Sequence, residues 1–196
     1  MELASNIIYT FFCFSNYSHY HPLVTQCKVG DMCLKIADNE LARVELLTND
    51  LQKLESKSAS NPKDAKLVKE VEQEHRKFQS MIRKQDQLLF ACFYTLMNLA
   101  EDMSIEVKMV KREIVKYLII LVERQTPELQ LLAVTFLKKL SVFRENKEQM
   151  VIMADALISK LLPFIPCEQP VCYFWFGEFQ NHVRSDISLP YFYRLC

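Results

Sequence analysis

The sequence predicts an all-α protein built from repeated helical units. Three observations support this fold class: glycine occurs only 2 times in 196 residues, apolar residues recur at helical spacing, and one leucine pattern returns about forty-two residues later. The turns of β-sheet proteins and the loops that bind phosphate both depend on glycine. The scarcity of glycine therefore argues against β architectures and against nucleotide-binding α/β enzymes.

Charge and cysteine usage narrow the class of partner and the compartment. The chain has 24 basic and 24 acidic side chains, so its formal net charge is zero. Nucleic-acid binding usually requires a basic excess, and no nucleic-acid partner is expected. No apolar run reaches the roughly 18 residues of a transmembrane segment, so none is predicted. The 7 cysteines lie mostly among apolar residues, which is typical of reduced thiols in a cytoplasmic protein.

Residues 1–38 are predicted to form a partial helical repeat. Residues 2–15 are largely apolar, and the polar patch that follows ends at Pro22. From Asp31 to Leu54, apolar residues recur every three or four positions, which indicates a helix of about seven turns. This helix continues into the next segment of the chain.

Residues 39–87 are predicted to form a charged antiparallel helical hairpin inserted into the repeats. The segment contains 19 charged residues and a single aromatic residue, Phe78. A turn is predicted over 56–62, where Asn61 would cap the second helix and Pro62 would lie in its first turn. That helix is expected to run from about residue 63 to residue 100. The charge predicts a solvated face, with a docking surface as the alternative.

Residues 88–168 are predicted to form two repeats. Matching apolar residues occur forty-one and then forty-three positions apart. The pairs are Leu88 and Leu129, Leu96 and Leu137, Leu99 and Leu140, Met109 and Met150, Ile114 and Leu157, Leu118 and Leu161, and Val122 and Ile165. A period near 42 is typical of armadillo and HEAT units, whose apolar faces are buried only by stacking on a neighbour. An armadillo-like superhelix is therefore predicted.

The last helix of a three-helix unit lines the concave side of such a superhelix, so its polar positions are candidate partner-binding residues. These positions are Tyr94, Asn98, Thr135, Lys138 and Lys139. An asparagine can hydrogen-bond the backbone of an extended peptide, and lysines favour an acidic partner. The alternative is that all five are ordinary solvated residues.

No combination of residues is typical of catalysis or of a metal site. Four potential metal ligands lie within fifteen residues of one another, but their spacing does not match a zinc motif. They are His19, His21, Cys27 and Cys33. Cys167 and Cys172 are no stronger as candidates. Adjacent carboxylates at Glu101 and Asp102 are more typical of a helix cap than of an acid/base pair. We expect no enzymatic activity, no cofactor, no metal and no small-molecule substrate.

Four segments of the sequence resemble the kinesin-associated protein family, the non-motor accessory subunit of heterotrimeric kinesin-II. They are IIYTFFCFS (7–15), LMNLAED (96–102), FLKKLSVFRENKEQM (136–150) and IPCE (165–168). The resemblance extends over about residues 2–168 and includes the charged hairpin. It implies an armadillo-repeat adaptor that binds the tails of two kinesin motor chains and links them to cargo. It also implies a cytoplasmic location on microtubules, including those of cilia, and no catalytic residue.

A generic armadillo scaffold for peptides, such as a nuclear-import receptor, is the alternative. Receptors of that kind use repeated tryptophan–asparagine pairs, whereas the only tryptophan of this chain, Trp175, lies outside the predicted repeats. The kinesin adaptor is therefore the preferred hypothesis.

Residues 169–196 depart from the pattern of the family. Eight of these 28 residues are aromatic, none is lysine, and helical periodicity is absent. An aberrant, irregular tail on a truncated chain is predicted, with Tyr173 to Phe176 as an alternative interaction or membrane-surface patch. An open repeat end of roughly 400 Å² would cost on the order of 10 kcal/mol in lost burial. We therefore expect the chain to be marginally stable, self-associating, or covered at that end by the tail.

Overall fold

The computed structural model describes residues 2–60 and 64–164. Within these ranges the chain forms nine α-helices and two short 3-10 turns, and no strand. The helices are α1 Glu2–Ser15, α2 His21–Gln26, α3 Val29–Ser60, α4 Ala65–Leu99, α5 Met103–Lys111, α6 Ile114–Val122, α7 Pro127–Leu140, α8 Arg144–Ile152 and α9 Ala154–Leu161. The predicted all-α fold class is confirmed. The chain divides into two compact units, the first ending at Ile105 and the second beginning at Glu106.

The first unit begins with the apolar helix α1, which buries Ile8 and Ser15. The Ser15 hydroxyl donates a hydrogen bond to the carbonyl of Phe12 at 2.8 Å, so this polar side chain is satisfied within its own helix. Pro22 lies in the first turn of α2, where a missing amide hydrogen costs nothing. Lys28, with φ at 57°, adopts the left-handed conformation that turns the chain into α3.

Helices α3 and α4 pack along each other in opposite directions. Gln85 of α4 donates to the carbonyl of Glu40 at 2.5 Å, and His75, earlier in α4, lies 2.6 Å from the carboxylate of Glu55, later in α3. The partner positions thus run in opposite order along the two helices. That this pair is an insertion in a repeat array stays a prediction.

The ends of these helices correct two sequence-based predictions. The predicted turn over 56–62 is wrong in its first part, because α3 continues to Ser60. The hydroxyls of Ser56 and Ser60 donate to carbonyls four residues earlier, at 2.8 and 2.9 Å, which keeps both serines compatible with the helix. Helix α4 is capped by Asp64, whose carboxylate accepts the amides of the second and third following residues. The predicted cap Asn61 and Pro62 lie outside the described residues.

The core of the first unit is formed by side chains from helices α1, α2, α3 and α4 and from the start of α5. Its fully buried side chains include Val29, Cys33, Leu34, Leu89, Phe93, Leu96 and Ile105. At Gly30, helix α3 comes very close to α5, because a Cβ at this position would lie 2.6 Å from Cδ1 of Ile105. Glycine is therefore favoured here by space and not by backbone conformation.

The second unit is centred on α6 and α7. Helix α6 buries six of its nine residues, and α7 buries Leu129, Phe136, Leu137 and Leu140 against it. The amide of Gln130 donates to the carbonyls of Val122 and Arg124, at 3.2 and 2.6 Å, and so holds the connection between the two helices. These contacts satisfy the carbonyls at the end of α6, which have no partner within that helix.

Two helix boundaries recur at a spacing of forty-one residues. Helix α8 begins forty-one residues after α5, and both are 9 residues long. Helix α7 ends forty-one residues after α4. The leucines at 88, 96 and 99 are buried, and so are their predicted counterparts at 129, 137 and 140. The armadillo-like superhelix and the boundaries 1–38, 39–87, 88–168 and 169–196 stay predictions.

Candidate partner-binding surface

Tyr94 and Asn98 lie one helical turn apart on α4, on the side that α1 contacts. The half-buried ring of Tyr94 meets the ring of Phe12 edge-on, with centroids 4.9 Å apart and planes at 74°. Phe90, four residues before Tyr94, completes the cluster at 5.8 Å. Edge-to-face aromatic pairs contribute about 0.5–1.5 kcal/mol beyond the burial of their area. Tyr94 therefore anchors α1 on α4.

Asn98 also holds the end of α1. Its amide nitrogen donates to the hydroxyl of Ser15 at 3.1 Å and to the side-chain oxygen of Asn16 at 3.3 Å. Earlier along the contact between α1 and α4, the Tyr9 hydroxyl donates to the carbonyl of Gln87 at 3.1 Å. Burial raises the pKa of Tyr9, so this hydroxyl stays protonated as a donor. The predicted binding residues Tyr94 and Asn98 thus also hold α1 against α4.

Thr135, Lys138 and Lys139 lie on α7, in the second unit, and all three are half-buried. The Thr135 hydroxyl donates to the carbonyl of Leu131 at 2.8 Å. Both lysines belong to the last turn of α7, where cations interact favourably with the unpaired carbonyls of the helix end. Thr135 and Lys139 follow Tyr94 and Asn98 by forty-one residues, so the two pairs occupy corresponding positions of α7 and α4.

Two of the four potential metal ligands near the N-terminus have other contacts. His21 hydrogen-bonds the carbonyl of Ser15 at 2.8 Å, and the His19 ring lies against the ring of Tyr20, with centroids 4.0 Å apart and planes tilted by 45°. Cys33 is fully buried, whereas Cys27 is exposed. No three His, Cys, Asp or Glu side chains converge in the described part of the chain as a metal site would require. Cys167 and Cys172 lie outside the described residues.

Asp102 stabilises the start of α5. Its carboxylate accepts the hydroxyl of Ser104 at 2.6 Å and the amide of the same residue at 2.9 Å. The hydroxyl contact is the main reason that the pKa of Asp102 is below its usual value. This carboxylate is therefore a helix cap, the role that the sequence favoured over acid/base chemistry.

A buried polar contact between α5 and α8 was not predicted. Asn146 is fully buried and donates to the carboxylate of Glu106 at 3.3 Å, while Gln149 donates to the carbonyl of Val110 at 2.7 Å. Burial raises the pKa of Glu106, and the neighbouring carboxylate of Glu145 adds to this effect. The sequence carries no signal for this contact, because Asn146 lies in a polar stretch that is typical of an exposed helix.

These observations define the class of the protein: an all-α scaffold with half-buried polar and aromatic side chains on two corresponding helices. The kinesin-associated protein (KAP) family matches residues 1–171, and the chain belongs to this family. The resemblance seen in the sequence is thereby confirmed. No solved structure matches the chain. Among the helices described, none has the length and apolar character needed to cross a membrane.

Proposed function

We propose that the protein is a non-catalytic adaptor that binds the tails of kinesin-II motor chains and links them to cargo. The observation that carries this proposal is the family match over residues 1–171. The role implies transport along microtubules, including transport within cilia, and a location in the cytoplasm on the microtubule cytoskeleton. A helical scaffold suits such a role, because stacked helices offer long surfaces for extended segments of a partner.

The polar faces of α4 and α7 are the proposed contact with the motor tails. Lys138 and Lys139 would pair with acidic side chains of a tail, which fixes its register and speeds its association. Asn98 would accept a backbone amide of the tail through its side-chain oxygen, and the Thr135 hydroxyl, which donates to Leu131, would accept another. Tyr94 would supply a rigid aromatic surface one helical turn from Asn98.

Co-purification of the full chain with the tail regions of a heterodimeric kinesin-II tests the adaptor role. We expect the chain to be retained on immobilised tails, and to be lost in high salt if lysines contribute. Failure of the folded chain to bind the tails of either motor, alone or together, would contradict the proposal.

Alanine variants test the contact surface in the same assay. Asn98→Ala and Lys139→Ala are each expected to weaken retention several-fold, by about 1 kcal/mol for one lost polar contact. Ser15→Ala is the control for Asn98, since it removes the same intramolecular hydrogen bond from the other side. Lys111→Ala, at an exposed lysine in the last turn of α5, is the control for Lys139. Unchanged retention of the two test variants would remove these positions from the surface.

A further inference from the structure

The outward side of α4 carries a surface that is basic or neutral throughout. Nine exposed residues fall within an arc of about 120° when successive residues are placed 100° apart. They are Lys66, Lys69, Gln73, Arg76, Lys77, Ser80, Arg83, Lys84 and Gln87, and we call them the α4 basic face. Six are basic and none is acidic, in a chain whose formal net charge is zero. The apolar residues of the same helix lie on the opposite side, where they are partly buried.

Local acidic residues neutralise only part of this face. Arg76 lies 3.9 Å from the carboxylate of Glu72, and Lys77 lies 2.5 Å from that of Glu74, with both glutamates outside the arc. Lys66, Lys69 and Lys84 form no ion pair with any residue that the structure describes. Glu70 and Glu72 lie one turn from lysines of the face, at its two edges, so they reduce its charge while the face itself holds only basic and neutral residues.

We propose that the α4 basic face binds an acidic segment of a partner polypeptide. The charge of the face selects an anionic partner, and its composition favours a polypeptide over the other anions. It contains no aromatic residue to stack on bases, and no apolar residue to insert into a membrane surface. From Lys66 to Lys84 the face is about 27 Å long, which matches about eight residues of an extended chain. This inference does not depend on the proposed contact with motor tails, which uses other positions.

Fluorescence anisotropy with a labelled oligoglutamate of about ten residues tests the proposal on the full chain. The test variant is Lys66→Gln/Lys69→Gln/Lys84→Gln. The matched control is Lys35→Gln/Lys53→Gln/Lys57→Gln, which removes three exposed lysines from the adjacent α3 and changes the net charge equally. We expect the test variant to bind at least about fivefold more weakly, from three lost exposed charge contacts, and the control to stay within about twofold. Lys66→Arg/Lys69→Arg/Lys84→Arg is expected to retain binding.

Three results would overturn the proposal. The first is absence of oligoglutamate binding by the unmodified chain at about 50 mM salt, where exposed charges are weakly screened. The second is equal weakening in the test and control variants, since net charge alone would then explain binding. The third is tighter binding of oligouridylate or of phosphatidylserine vesicles that the test variant loses, which would assign the face to another class of partner. Circular dichroism of each variant establishes that the helices remain formed.

Discussion

The close approach of Gly30 to Ile105 gives the sharpest test of the packing in the first unit. A Cβ at Gly30 would lie 2.6 Å from Cδ1 of Ile105 and 3.5 Å from its Cγ2. Two carbons in normal contact are about 3.5–4.0 Å apart, so the added methyl group overlaps by about 1 Å. Ile105 is itself 0% exposed, which leaves its side chain little room to move away. Gly30→Ala is therefore expected to strain the junction between α3 and α5.

The expected loss in the free energy of unfolding is about 1–2 kcal/mol. Overpacking a buried site costs about 1–3 kcal/mol, and the better helix propensity of alanine returns up to about 1 kcal/mol. Urea denaturation followed by circular dichroism at 222 nm measures this change, provided that the dependence on urea is the same in both proteins. Asn39→Ala, at an exposed position of the same helix, is the control and is expected to be neutral or stabilising.

A double-mutant cycle isolates the contact itself. Ile105→Val removes the Cδ1 atom and alone should cost about 0.5–1.5 kcal/mol. In the double variant the alanine methyl group occupies the space that Cδ1 leaves, so the two losses should not add. We expect a favourable coupling free energy of about 1 kcal/mol or more. Losses that add to within about 0.3 kcal/mol would refute the close approach.

Three further predictions concern other parts of the chain. Glu106→Gln should stabilise the protein by on the order of 1 kcal/mol at neutral pH, because it removes a buried charge beside Glu145. Since the pKa of Glu106 is raised on folding, its contribution to stability is present below about pH 4.5 and is lost as pH rises through the folded pKa. Urea midpoints of the natural chain and the variant should therefore converge towards acid pH. Lys28→Gly should stabilise by about 0.5–1 kcal/mol, measured by thermal melting, because φ at this residue is 57°. Iodoacetamide should modify exposed Cys13 at least about tenfold faster than Cys92, as judged by peptide mass spectrometry, because a hydrogen bond that the Cys92 thiol donates to the Cys33 sulfur, together with burial, raises the pKa of Cys92.

Periodicity predicted the helices and the repeat but could not predict how distant helices meet. The leucines of α4 and α7 were identified as equivalent because burial on one side of a helix imposes a spacing of three or four residues. That spacing says nothing about which face of α1 lies against α4. The bond from Asn98 to Ser15 joins residues 83 positions apart and depends on that packing alone. Sequence reasoning therefore found a polar position at Asn98 without finding its partner.

The ends of the long helices were less predictable than their interiors, for a related reason. Several residues near position 61 are capable of capping a helix, and Asp64 is selected because its carboxylate reaches two amides of the first turn. Serines that often end helices instead continue α3, since their hydroxyls bond to carbonyls of the preceding turn. Small differences among local hydrogen bonds decide such positions, whereas apolar burial decides the rest of the helix.

Net charge illustrates how much the arrangement of residues adds to composition. A formal charge of zero argued against a polyanionic partner for the chain as a whole. Net charge takes no account of where charges lie, whereas exposed charges act over roughly a Debye length, about 8–10 Å at physiological salt. Lys66 and Lys69 are neighbours on one helix face, and Glu70 and Glu72 at the edges of that face reduce its charge only in part. Once packing fixes which side of α4 is exposed, a chain with no net charge can present a basic surface. Recognition by a partner then depends on the charge of that surface and not on the net charge of the chain.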